Sequence, residues 1–404
     1  NILIAIRSIF KKGRHNVMKI VSLGIGLAVG LVLIAKVYFE QSYDDFYPDR
    51  DRVYQVWAKY QQNGGELKDY PQTSGGIAPT MQQQIPEIET VTRYTSFGDW
   101  TFTMTDTKMK YSGRCIIADS CFFDILPRPM LIGNAKEVLS TPMYVLISSR
   151  IAKNIGGDVI GKNFTVDNSP GRTMTIGGVF EEVPENSHSR YDVIVSMASA
   201  GRFMWEGSPT NMLGNDRYIS YVKLHKGVNP LALEEQVRTF VNSYFPPEEQ
   251  QKTGFNIGFS FHELDGLHKE LPQVKRMTWI LSLLAFALIF TAVMNYILIV
   301  ISSIVNRSKE VAVHKCYGAS ENNIHGMMFG EALVHIVLSL ILALLLILAF
   351  RGTVEELLAT SLDSLLLSNG SLVLLGICIL VFFVSGFMPG SLYARIPVAS
   401  AFRN

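Results

Sequence analysis

The sequence predicts an α-helical membrane protein with four transmembrane helices and an α+β extracytoplasmic domain inserted between helices 1 and 2. Three observations carry this. Charge is unevenly spread: mean hydropathy is +0.21 although 18% of the 404 residues are charged. No charged residue stands between Arg276 and Arg307, a run longer than the ~20 apolar residues that cross a bilayer. Residues 40–276, by contrast, read as water-soluble. A net charge of +1 gives no global attraction to nucleic acid.

Residues 1–16 form a basic lead-in. Ile2, Leu3, Ile6, Ile9 and Phe10 fall at helical spacing, with Arg7, Lys11, Lys12 and Arg14 off that face. This suits an amphipathic helix in the cytoplasmic interface, with an unstructured basic tail as the alternative. Residues 17–39 are the first span, and no small-x-small cleavage site follows, so an uncleaved anchor is expected. Lys36 near its end can snorkel. Ser22, Gly26 and Gly30 stand four apart on one helical face, a small-residue stripe that makes them candidates for contact with a second copy.

Within 40–276, RVYQVWAKYQ (52–61) alternates as a strand, 75–88 is helical and 90–97 returns to strand. A matching set closes the region: strand 218–224, helix 231–244 after the Asn229-Pro230 turn, and strand 256–264. These flanks, 40–99 and 216–276, predict one α+β lobe. Residues 100–215, denser in short strands and turns, predict a β-rich lobe inserted in it. The second span follows at 277–305, a short loop at 306–321, the third span at 322–350, a connection at 351–370, the fourth span at 371–393 and a tail at 394–404.

Orientation follows from lysine and arginine in the short segments. The lead-in through Lys19 holds five, 306–320 holds Arg307, Lys309 and Lys315, and the tail holds Arg395 and Arg403, whereas 353–370 holds none. Both termini and the basic loop are therefore expected in the cytoplasm, with the large domain outside.

Several motifs fail on inspection. GGDVIGKN (156–163) approaches a phosphate loop, but Asn163 replaces the magnesium-binding hydroxyl and a strand-like NFTVDN follows. His262-Glu263 and His268 approach a metalloprotease helix, but Gly266 stands where the second histidine belongs, so no metal is expected. Cys115 and Cys121 permit a disulfide without requiring one. Glu331, near the start of the third span, suits either a polar contact in the helix bundle or an interfacial position. Asn295 suits local hydrogen bonding.

Five segments in order resemble one family: SYDDFYPDRDRVYQV (42–56), FFDILPRPMLIGNAKEVLSTPMYVLISSRIAKNIGGDVIGKNFTV (122–166), GGVFEEVPENSHSRYDVIVS (177–196), FSFHELDGLHKEL (259–271) and RSKEVAVHKCYGAS (307–320). Together they resemble the FtsX-like, MacB-type permeases of ABC transporters, in a four-span form similar to those of Bacteroidetes. Many relatives are double-length, and their loop more often reads I-R-K-V-L-G than the sequence with His314 and Cys316 found here.

The resemblance implies a non-enzymatic membrane subunit of the mechanotransmission type in the bacterial inner membrane. This chain would bind no cofactor; ATP and Mg would belong to a separate cytoplasmic ATPase. Arg307, Lys309, Glu310, His314, Lys315, Gly318, Ala319 and Ser320 would form the coupling element against that ATPase. Further implied partners are a second permease copy or related permease, membrane lipid, and a periplasmic adaptor with an outer-membrane channel; nucleic acid is not among them. Export of peptide or drug-like substrates leads, with lipoprotein release, cell-wall hydrolase activation and an ATP-independent sensor or scaffold left open.

Overall fold

A computed structural model describes residues 16–167, 169–302 and 321–366, together with Val373, Gly376, Ile377 and Leu380. The loop expected at 306–320 lies outside the described residues, as does the fourth span at 371–393 save for those four. Two compact units divide the chain, one holding Asn1–Ser42 and Leu271–Asn404, the other Tyr43–Glu270.

In the first unit, helices Asn16–Gln41, Pro272–Ser302 and Glu321–Ala349 each contain a stretch long and apolar enough to cross a membrane. Leu23, Leu27 and Ala28 of the first pack with Ala292, Val293, Tyr296 and Ile297 of the second and Ile336, Ala343 and Ile347 of the third. Lipid tails are as apolar as these side chains, so close packing and hydrogen bonds must hold such helices together. Both are present. A Cβ on Gly26 would overlap the Ala292 methyl, and one on Gly30 would overlap Ile289 Cγ1. Asn295 Nδ2 donates to Ser22 Oγ at 2.6 Å. The stripe of Ser22, Gly26 and Gly30 thus packs against the chain's own second span, a contact within the chain where the sequence pointed to one between copies.

Lys36 corrects a second expectation. It is buried rather than snorkelling: its Nζ lies 2.6 Å from Glu40 Oε1, one turn on, and donates to Thr360 Oγ1 at 2.8 Å. Thr360 sits between two short helices, Arg351–Leu358 and Leu362–Leu366.

The second unit is built on one eleven-stranded sheet: β1 (Val53–Gln62), β2 (Lys68–Tyr70), β3 (Ile88–Met104), β4 (Lys110–Ala118), β5 (Met130–Ile132), β6 (Tyr144–Ser148), β7 (Asn163–Val166), β8 (Ser169–Phe180), β9 (Val193–Ser196), β10 (Ile219–Leu224) and β11 (Phe255–Glu263). Their order is β11-β1-β10-β3-β4-β9-β6-β8-β5, with β2 beside β1 and β7 beside β3 and β8. Alternation decides the faces. Tyr54 and Val56 turn toward helices α1 (Ile77–Gln84) and α2 (Glu234–Tyr244), meeting Ile77, Ala78, Met81, Val237, Phe240 and Val241. On the opposite face Tyr94, Ile116, Leu146 and Tyr221 pack with Tyr47 and Phe122.

The lobe boundary expected at 99–100 falls inside β3, which runs unbroken for 17 residues. The strand expected to end at residue 97 instead passes through a bulge at Gly98. Gly98 takes φ +74°, and the pairing with β4 shifts register between Ser96 and Gly98. The strand bends and continues.

Candidate functional site

Three of the resembling segments, far apart in sequence, meet within the second unit. The incoming segment directly after the first span carries Tyr43, Asp44, Asp45 and Arg50. The outgoing segment directly before the second span carries Asp265, His268 and Lys269. The loop 186–189 carries Asn186, Ser187, His188 and Ser189.

Incoming and outgoing segments are stitched side by side. The rings of Tyr43 and His268 stack with centroids 3.4 Å apart and planes 6° from parallel. Asp45 receives Arg50 Nη1 at 2.8 Å and Lys269 Nζ at 3.0 Å; Asp265 receives Arg50 Nε at 3.2 Å and Lys269 Nζ at 2.8 Å. Each of these half-exposed pairs alone contributes about 0–1 kcal/mol, but four charges alternating in a ring hold one another's geometry. Burial pulls the Lys269 ammonium down. Its hydrogen bonds to Asp265 and Asp45 outweigh that, leaving its pKa above the usual lysine range.

Asp44 is the buried centre. It adopts φ +59°, a conformation aspartate tolerates better than most residues, and is fully enclosed. Its backbone N–H donates to Asn186 O at 2.9 Å. Oδ1 accepts from the Ser187 hydroxyl at 3.0 Å, and Oδ2 accepts from His188 Nδ1 at 2.7 Å. His188 Nε2 in turn lies 2.5 Å from the Tyr221 hydroxyl, on β10 in the sheet. Ser189 Oγ lies 2.7 Å from the Tyr94 hydroxyl on β3. Beside them, burial first and the Asp44 charge second push the Tyr47 phenol far up, so it stays neutral.

The chain leaving the first span is therefore anchored within three residues to the central strands. A buried hydrogen-bonded network holds its members in one geometry, and losing a member leaves a polar partner stranded in the interior. Tyr221, at the far end of the Asp-His-Tyr line, is fully buried. Among the described residues no group of three or more histidine, cysteine or acidic side chains could hold a metal.

The sequence-predicted coupling residues Arg307, Lys309, Glu310, His314, Lys315, Gly318, Ala319 and Ser320 lie outside the described residues. His262 stacks on Trp57 and contacts Ser260, whereas His268 stacks on Tyr43; the two serve different partners. Segment 156–162 connects a helix, Ser149–Ile155, to β7, the reverse of the strand-loop-helix order that cradles phosphate. Cys115 and Cys121 are free thiols, both pushed up by burial. Asp44 and His188 escaped sequence reasoning as a pair; their only signal was that each sits in a segment of the family resemblance.

The family model of a MacB-like periplasmic core domain matches residues 18–240, and that of the FtsX-like permease C-terminal region matches 282–398. Among solved structures, a domain described as part of a permease from Porphyromonas gingivalis is 33% identical, with a TM-score of 0.49, covering 54% of this chain and 91% of that one. The periplasmic region of MacB from Actinobacillus actinomycetemcomitans is 15% identical, with a TM-score of 0.36, over 51% of this chain and 87% of that one. The extracellular domain of the noncanonic ABC-type transporter YknZ from Gram-positive bacteria is 11% identical, with a TM-score of 0.36, over 51% and 98%. No curated protein matches the chain. With the first family model spanning more than half of the sequence and the second most of the remainder, the chain belongs to the FtsX/MacB-type permeases, membrane subunits of ABC transporters that carry a periplasmic domain and work with a partner ATPase.

Proposed function

We propose that this permease works by mechanotransmission: hydrolysis by a cytoplasmic ATPase docked on 306–320 shifts the spans, and the shift reshapes the inserted domain to drive export of peptide or drug-like substrates. The observation that carries the reading is the clasp at residues 43–50, 186–189 and 264–269. A displacement of the incoming chain must move Asp44, and Asp44 is bonded through His188 to β10. Packed elements with fixed polar links pass on discrete shifts rather than absorbing them. In this reading Arg307, Lys309, Glu310, His314, Lys315, Gly318, Ala319 and Ser320 meet the ATPase. Two permeases, identical or related, pair in the inner membrane with both termini in the cytoplasm, and a periplasmic adaptor with an outer-membrane channel receives the substrate.

The test is charge reversal of Arg307→Glu with Lys309→Glu in the full chain, followed by purification from native membrane. The double variant is expected to insert normally yet lose ATPase association and turnover. Unchanged association and turnover would remove the coupling role from this loop.

A further inference from the structure

We propose that an open cleft at the β2 end of the inserted sheet binds amphipathic organic cations, molecules with a flat apolar body and a protonated nitrogen. The inference deepens the export reading by naming a substrate class, and rests on that reading only for the step of transport.

The cleft exists because β1 outlasts its cover. Its first half, Val53–Val56, pairs with β10, while Ala58–Tyr60 pairs with the short strand β2. The core under α1 and α2 takes in Tyr54 and Val56 but not Tyr60, Tyr70 or Phe255. Those three rings instead line a cleft of about 790 Å³ with Leu213, Glu66 and Asp216. That volume lies within the range of about 300–1,000 Å³ that takes drug-sized ligands.

The rings are arranged as a wall. Tyr60 and Phe255 stack at 5.3 Å and 20°, and Tyr70 leans on Tyr60 at 5.6 Å. Tyr70 and Leu213 are 43% and 46% exposed, with Leu67 beside them at 53%, so apolar area stands in water at the cleft's lip.

Charge selects the ligand. Asp216 accepts the Tyr60 hydroxyl on Oδ2 and the Ser74 hydroxyl on Oδ1, each at 2.5 Å, which holds its carboxylate in place against the aromatic wall. Glu66 adds a second carboxylate, and Lys68 is the single basic side chain in the lining. Ring faces carry negative quadrupole charge, so two carboxylates and three rings favour a cation and disfavour an anion of the same shape. Asp216 shapes the site; Glu66 and Tyr70 are the accessible contacts.

Rhodamine 6G and fluorescein share a ring system and differ in charge, so they separate the effects. Fluorescence anisotropy with the full chain in nanodiscs of neutral lipid should show saturable binding of rhodamine 6G, with fluorescein at least about tenfold weaker. Tyr70→Ser and Glu66→Lys, both at surface positions, should each raise the rhodamine 6G Kd about tenfold. Equal affinity for the two dyes, no saturable binding, or unchanged affinity in both variants would overturn the proposal, the last because the dye would then sit in lipid or among the spans. ATPase co-purification with the unaltered chain is scored separately. Dye binding without an ATPase partner sinks the transport reading and keeps the cleft, whereas a partner without dye binding does the reverse.

Discussion

The two units of this chain use buried polar groups in opposite ways. Polar links among the described residues of the helix bundle include Asn295 to Ser22, His335 to Asn16 at 3.2 Å, Ser339 to the Ile20 carbonyl at 3.1 Å, and Lys36 to Glu40 and Thr360. Between them the helices meet through Gly26 and Gly30 and through apolar side chains such as Leu23, Leu27, Ile297 and Ile336. The inserted domain instead bonds its buried polar groups into the sheet, as Asp44 does through His188 to Tyr221 and as Arg93 does with Asp119. Isolated links between smooth helices resist sliding weakly, because each contributes only about 0.6–2 kcal/mol in a membrane. A satisfied network fixed to a sheet moves as one piece. The bundle relies on packing between helices, whereas the domain ties its entering chain to a sheet.

The sharpest way to break this comparison is His188→Ala. It leaves the Asp44 carboxylate buried without its 2.7 Å partner, and should cost the domain about 3–5 kcal/mol, read by urea unfolding followed through tryptic cleavage of the full chain. Asp45→Asn, in the half-exposed ring beside it, should cost no more than about 1 kcal/mol. Equal costs would mean that the buried anchor has no special standing. Next in size is Gly26→Leu, which forces a side chain into Ala292 and should destabilise the bundle by about 1–3 kcal/mol, lowering its resistance to detergent while cleavage of the domain stays unchanged. Loss of both together would show that the units are not mechanically separable.

The smallest effect concerns pH. Burial holds the His262 imidazole below its ordinary range, so the unfolded chain takes up that proton more readily than the folded one. Stability from this residue is complete above the unfolded pKa of about 6.5 and declines as pH falls below it. His262→Gln should remove that part of the decline, seen as a smaller drop in melting temperature between pH 7.5 and 5.5. An identical drop in the variant would place the pH response elsewhere.

Strands whose two faces meet different surroundings were legible. The alternation in 52–61 gave β1 within a residue at each end, and the Asn229-Pro230 turn was found with the Asn229 side chain accepting from Leu231 N–H. Continuity through Gly98 was not legible, since a turn and a bulge ask for the same residues. Lys36 misled because the group that encloses it, Thr360, lies 324 positions away. The clasp was hidden for the same reason: an Asp-Asp pair in a polar stretch looks solvated until residue 188 arrives beside it. The basic loop was the most conspicuous candidate in the sequence, and it lies outside the described residues.

Lys36 also has a bearing on how the protein is made. Glu40 is available to it as soon as the first helix forms, but Thr360 emerges from the ribosome only after more than three hundred further residues. Until then the nascent helix carries an ammonium whose neutral partner has not been synthesised, inside a membrane where such a group is tolerated poorly. Final seating of the first helix is thereby tied to a residue 324 positions further on.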